Sequence, residues 1–168
     1  MRIAEADLNT NWQEVLSLLQ TAFAGMAGRI DPPSSLETMT AEDLAETARN
    51  GLVLLAYDPG LVGCVFLTPR DKVLYIGKLA VAPERQGLGN GRALMHATKI
   101  EAQRRGLPAL ELQTRIELVE NHAAFVAMGF RKTGETAHPG FGRPTSITMR
   151  KSIAPEVPDQ VRDAEAQA

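Results

Sequence analysis

The sequence predicts one mixed domain of the α/β (α+β) class, a mostly antiparallel sheet of about seven strands flanked by about four helices. Three observations carry that expectation. Short apolar runs bounded by Gly, Pro, Asn and Asp recur as strand signals, and longer stretches with apolar residues at spacings of three and four recur as helix signals. Their order is strand, two helices, three strands, helix, strand, helix, two strands, which places a βαβ-like crossover in the middle of the sheet. A chain of 168 residues, 44% hydrophobic and 23% charged, is sized and composed for a single globular domain.

Arg2 to Ala6 reads as a first strand. Trp12, Val15, Leu16, Leu19 and Phe23 line one face of a helix over Trp12–Phe23, with Asn11 or Thr10 as its cap. Gly25 to Leu36 reads as a loop. Thr40 begins a second helix with Glu42 and Asp43 in its first turn, where the helix dipole favours acids, and Asn50-Gly51 ends it. Leu52–Tyr57 and Leu61–Leu67 are strands joined by Asp58-Pro59-Gly60, a hairpin turn, and Val73–Val81 is the third of the group. Leu88–Arg105 is a long helix stopped by Gly106 and Pro108. Leu110 and Leu112 alternate with Glu111 and Gln113 in the next strand. Glu120–Met128 is a short helix, Gly129-Phe130 opens a strand, and Ser146–Arg150 is the last one. The domain is therefore expected over residues 1–151, and the acidic, proline-bearing tail 152–168 is expected to be disordered.

The charge and cysteine content narrow the function. The net charge of −2 without a basic block argues against nucleic acid. No apolar stretch approaches the ~20 residues of a membrane span, and the acidic start does not resemble a leader peptide. The lone Cys64 can make neither an internal disulfide nor a cysteine metal cluster, so a cytoplasmic protein without a metal is expected. Flanked by Gly63 and Val65 on a strand, Cys64 reads as core.

The informative segment runs from Leu79-Ala80-Val81 through Pro83 to Gln86-Gly87-Leu88-Gly89-Asn90-Gly91-Arg92. A buried strand enters a glycine-rich turn that opens a helix. Glycine lets a ligand approach the main chain, and the first N–H groups of a helix lack internal partners, so the segment suits a pyrophosphate. A P-loop is excluded because no Lys-Ser/Thr follows the glycines. The dinucleotide fingerprint is excluded by the spacing of Gly87, Gly89 and Gly91.

This string resembles the acetyl-CoA motif of the GNAT acetyltransferase superfamily, Gln/Arg-x-x-Gly-x-Gly/Ala, filled here by Gln86, Gly89 and Gly91. Glu120-Asn121-His122-Ala123-Ala124-Phe125 with Gly129-Phe130 is similar to the family's second signature helix and strand. The resemblance is most specific over Tyr75 to Phe130 and implies a GNAT-type sheet and acetyl-CoA as co-substrate. It implies that the backbone of Leu79, Ala80 and Val81 meets the pantetheine arm, that the N–H groups from Gln86 through Gly87, Leu88, Gly89, Asn90 and Gly91 to Arg92 hold the pyrophosphate, and that Asn121 and Phe125 border the arm. The arm would enter between the strand ending at Val81 and the strand at Leu110–Thr114. A primary amine of a small molecule or peptide is the implied acceptor, and a homodimer is the family-level expectation.

Two groups that the family often uses are replaced. The tyrosine that serves as acid is Phe125, and the strand glutamate that serves as base is Tyr75. Tyr75 is either a proton donor beside the thioester, sharing a face with Gly77, Leu79 and Val81, or a half-buried packing residue. Arg29, Thr114, Arg115, His138 and Arg143 border the acceptor side; three arginines there suit an acidic acceptor or are simply solvated. An acyl-CoA-binding sensor or structural module without turnover is the competing reading.

Overall fold

The computed structural model describes residues 1–155. The strands are β1 (Arg2–Glu5), β2 (Leu52–Tyr57), β3 (Leu61–Arg70), β4 (Val73–Val81), β5 (Ala109–Arg115), β6 (Arg131–Thr136) and β7 (Ser146–Ser152). The helices are α1 (Trp12–Ala22), α2 (Ala41–Arg49), α3 (Asn90–Arg104) and α4 (Val119–Ala127). The strands form one sheet in the order β1-β2-β3-β4-β5-β7-β6, antiparallel throughout except for the parallel pair β4/β5, which α3 connects.

Local chemistry sets the helix starts. The Asn11 side chain accepts the Glu14 N–H at the start of α1, and Thr40 and Asp43 form a reciprocal capping box on α2. The segment expected to be a plain loop contains two short 3₁₀ turns, Ala24–Met26 and Ser35–Glu37. The long helix begins at Asn90 instead of Leu88, and the sixth strand at Arg131 instead of Gly129. In both places a left-handed glycine sets the boundary. Gly89 (φ +88°) caps α3. Gly129 (φ +96°) closes α4, and Phe130 turns its N–H back to Phe125 O. Packing runs on to Ala154: Ile153 is buried and donates to Pro108 O, and Gln103 donates to Ala154 O. The tail expected to be disordered falls, from 156 on, outside the described residues.

Each sheet face carries its own core. On one, Leu94, Met95 and Ala102 of α3 cover Leu54, Val65, Leu74, Ile76, Leu110, Leu112 and Met149. On the other, Val15, Leu16, Leu19 and Leu44 of α1 and α2 cover Val53, Leu55, Cys64, Phe66 and Ala80. Gly77 has no partner on β3, where Phe66 pairs with Lys78 and Leu67 with Ile76. Such a bulge shifts the alternation by one residue. Leu74 and Ile76 before it, and Leu79 and Val81 after it, therefore all face α3. This corrects the expected grouping: Tyr75 does not share a face with Leu79 and Val81.

Candidate functional site

β4 and β5 pair over only four positions, ending at Ile76↔Leu112. Beyond that point the strands part, and β4 keeps its partner only on the β3 side, as far as Val81↔Gly63. Ala82 donates its N–H to Val62 O on β3. Since main-chain groups alternate sides along a strand, Ala80 also turns toward β3, while Leu79 and Val81 turn their N–H and C=O toward the gap. The Val81 carbonyl is used by the Gln86 side chain, which donates to it at 3.1 Å. The Leu79 edge and the Val81 N–H have no strand opposite them.

That edge leads straight into the glycine turn. The Gln86 N–H is spent on Pro83 O at 3.4 Å, so the series of outward N–H groups starts one residue later than expected. From Gly87 to Arg92 no N–H finds a partner among the described residues, and the helical ladder begins with Ala93 N–H to Gly89 O. Gly87 (φ +77°) and Gly89 (φ +88°) are left-handed, and a Cβ on either would meet nothing within 4 Å, so the space before them is open. The buried Asn90 holds the turn from behind by donating to Arg85 O at 2.9 Å. Among the described residues no side chain caps α3, and no acid stands in its first turn. Six N–H groups without partners among the described residues, at the positive end of a 15-residue helix, suit a pyrophosphate.

The opposite side of the gap is built from side chains. Gln113 and Arg115 extend toward the α1/α2 side, whereas Thr114 is buried opposite Ile147 on the α3 side, so these sequence neighbours part. Arg115 donates to Pro32 O (2.8 Å) and Pro33 O (3.3 Å). Arg143 bridges Asp31 at 3.1 Å, and Arg29 pairs with Glu120. Glu117, just past β5, accepts the Asp31 N–H at 2.9 Å. The α1–α2 connection is thereby tied to the end of β5 and to the β6–β7 loop. His138 donates its N–H to Thr145 Oγ1, and its Nδ1 lies against the same hydroxyl; that hydroxyl in turn donates to Thr136 O at 3.4 Å. His122 Nε2 bonds Arg115 O at 2.8 Å.

Tyr75 pairs with Glu111 below the split, under the Arg70 guanidinium 3.6 Å from its ring. Burial raises its phenol pKa above the usual value, Arg70 offsets part of that and Glu111 adds to it, so the hydroxyl is a donor at neutral pH. Phe125 packs edge-on against Phe130 at 5.8 Å, and Asn121 stands in the first turn of α4. Burial pushes the Cys64 thiol up to about 12. The bond between Glu117 and Asp31 spans 86 residues, and the sequence, which places both near the cleft, does not pair them.

Comparison with known proteins agrees with this geometry. The family model described as Acetyltransferase (GNAT) family matches residues 12–130. No curated protein matches the chain in sequence. Among solved structures, PaiA N-acetyltransferase from Thermoplasma acidophilum, in complex with coenzyme A, is similar with a TM-score of 0.73 at 16% identity, covering 91% of this chain and 100% of that one. An aminoglycoside 6'-N-acetyltransferase complexed with coenzyme A is similar with a TM-score of 0.71 at 18% identity, covering 94% and 100%. The ribosomal-protein-S18-alanine N-acetyltransferase from Escherichia coli is similar with a TM-score of 0.67 at 18% identity, covering 93% and 97%. At these identities the likeness is one of fold.

Proposed function

Because the chain belongs to the acetyltransferase (GNAT) family, we propose that it moves an acetyl group from acetyl-CoA to a primary amine of a small molecule or peptide, by direct attack in a ternary complex. The observation that carries this reading is the split beyond Ile76↔Leu112, whose free Leu79–Val81 edge runs into the six unpartnered N–H groups of Gly87 to Arg92. An extended amide-bearing arm pairs with such an edge as an added strand does, and its pyrophosphate meets the helix start. Two of the structurally similar proteins carry coenzyme A, which supports the same use of the fold.

In the reaction the amine nitrogen attacks the thioester carbon, a C–N bond forms and the C–S bond breaks. The amine loses a proton and the leaving thiolate gains one. An ordinary alkyl amine has a pKa of about 10.4, so roughly one in a thousand is neutral at pH 7.4, a cost of about 4 kcal/mol that a proton acceptor or a dry site reduces. The tetrahedral oxyanion needs a donor, and the Val81 N–H, turned to the gap, is suited to it. Tyr75, protonated at neutral pH but six residues before Val81 and on the other face of β4, is our candidate for passing a proton to the thiolate through water.

The test is a melting series with acetyl-CoA followed by thiol release with a panel of amines. Ligand at 100 times its dissociation constant stabilises a fold by about 2.7 kcal/mol, so a clear upward shift is expected. No shift at millimolar acetyl-CoA sinks the proposal; a shift without thiol release for any amine replaces transfer with binding alone.

A further inference from the structure

Lys78 stands inside the split. β4 leaves β5 after Ile76, so Lys78 and the Leu79–Val81 edge lie on the same freed stretch of strand. The bulge at Gly77 decides which way its side chain goes. Lys78 pairs with Phe66 across β3, and Phe66 belongs to the core under α1 and α2. Paired residues of neighbouring strands share a face, so Lys78 leaves the sheet on the α1/α2 side, opposite α3. The side chain is half-buried. Its Nζ lies 5.6 Å from the centroid of the Phe66 ring, which packs on Trp12, and no carboxylate bonds it among the described residues. Burial lowers the pKa of this ammonium below its ordinary value. Cys64 is set against that, but a thiol with its pKa pushed up to about 12 carries no charge at neutral pH.

Attack on a thioester needs a neutral amine, a form that an ordinary lysine holds in only about one molecule in a thousand at pH 7.4. Desolvation without an anionic partner raises that share. The nitrogen also has reach. Leu79 is the next residue, and Val81, whose N–H faces the gap, is three residues or roughly 10 Å further along the strand. Gly77 beside it is exposed, and a Cβ there would meet only Phe66 O at 3.8 Å and the Tyr75 ring at 4.0 Å, so the flexible lysine stem has room to turn toward the gap. Resting on the reading that this gap holds acetyl-CoA, we infer that Lys78 is itself an acetylation site: without an external amine, the chain moves the acetyl group onto its own Lys78 Nζ. A pyrophosphate at the start of α3 and an arm threaded through the gap carry the acetyl end toward the α1/α2 face, where Lys78 emerges. The ammonium gives one proton to water, and the free amine attacks the thioester carbon. A C–N bond forms, the C–S bond breaks, and the second amine proton ends on the coenzyme A thiol. The product is an uncharged amide in place of the cation beside Phe66.

Incubation of the full chain with acetyl-CoA and no amine, followed by peptide mass mapping, tests this. One acetyl group per chain is expected at Lys78, with Lys72, Lys99, Lys132 and Lys151 modified at least about tenfold more slowly. Coenzyme A thiol should appear in step with the modification. The rate per chain should stay constant across about a tenfold range of protein concentration, because amine and thioester share one gap. Lys78→Arg keeps the charge and loses the nucleophile, so it is expected to remove the modification and keep the acetyl-CoA melting shift. Should that variant fail to fold, the wild-type map and its concentration series decide the matter. A melting shift with Lys78 left unmodified overturns the inference and spares the parent reading. Acetyl groups spread evenly over the lysines, or a rate that climbs with protein concentration, overturn it as well. No melting shift and no acetyl group on Lys78 overturn both.

Discussion

The two walls of the gap between β4 and β5 are made of different material. The β4 wall is main chain: the Leu79–Val81 edge and the N–H groups from Gly87 to Arg92, with glycines keeping side chains out. The β5 wall is side chain: Arg115, Glu117, Asp31 and Arg143 bonded across sequence separations of 82 to 112 residues. On the proposed reading, a wall of backbone amides meets what every acetyl-CoA has in common, and it depends on local glycine geometry. A wall of paired charges from three loops can change its preference with single substitutions. The difference separates a constant half from a variable half, and it can be attacked from either side.

The largest effect is expected at Gly89. Gly89→Glu forces a side chain into a left-handed position, at about 1–2 kcal/mol, and sets a carboxylate among the N–H groups proposed to hold phosphate. A Cβ there meets nothing within 4 Å, so the fold stands. Acetyl-CoA affinity should fall by at least about a hundredfold by calorimetric titration. A variant that folds and binds normally would show that the backbone wall is not the cofactor wall.

Tyr75→Phe comes next, because it removes one hydroxyl and keeps the ring under Arg70. General acid help is worth roughly a hundred- to ten-thousandfold, and a partly replaceable donor less, so a fall in kcat of about tenfold or more is expected with acetyl-CoA affinity unchanged. An unaltered rate against pH would leave Tyr75 as packing on a strand whose proton traffic runs through water.

Acid should loosen the charged wall first. Glu117 has a folded pKa below its ordinary 4.5, so the unfolded chain binds its proton more readily. Its contribution is complete above about pH 4.5 and is lost as pH falls through the folded value. The exposed pair Arg143–Asp31 is worth only about 0.2–1 kcal/mol. The expected result is amide exchange rising at Arg29 and Asp31 as pH drops from about 5 to about 3, before the first bonded amides of α3, from Ala93 on, respond. Simultaneous loss at both places would erase the distinction between the walls.

The same contrast explains what could be read from the sequence. The order of elements along the chain, the crossover and the glycine turn were legible because each is written in consecutive residues whose spacing has a physical cause. The alternation assigned to β4 failed at Gly77, since a bulge depends on how β3 pairs beside it. Thr114 and Arg115 were grouped together, yet strand alternation sends them to opposite faces. The arginines left two readings open, an acidic acceptor or plain solvation, because their partners, Asp31 and Glu120 among them, are distant in sequence.

The smallest effect is expected at Cys64, and it tests whether transfer crosses the gap directly. Cys64 lies on β3 opposite Ala80, one strand away from the gap, and is fully buried. A thiol acting as acetyl carrier would add a third participant and break the two-wall description. Its pKa is pushed up to about 12, chiefly by burial, with Lys78 and the Ala80 backbone pulling it only part of the way back. At pH 7.4 a thiol with that pKa is ionised in about one molecule in forty thousand, against several per cent for a free cysteine, and only the thiolate attacks a thioester well. Iodoacetamide should therefore leave the folded protein unmodified by mass while labelling it fully in denaturant. Cys64→Ala should lose about 1 kcal/mol of stability, from the small cavity, and keep kcat. A burst of one thiol per chain before amine is added, absent in Cys64→Ala, would establish a covalent intermediate and put the reacting centre on the wrong side of β4.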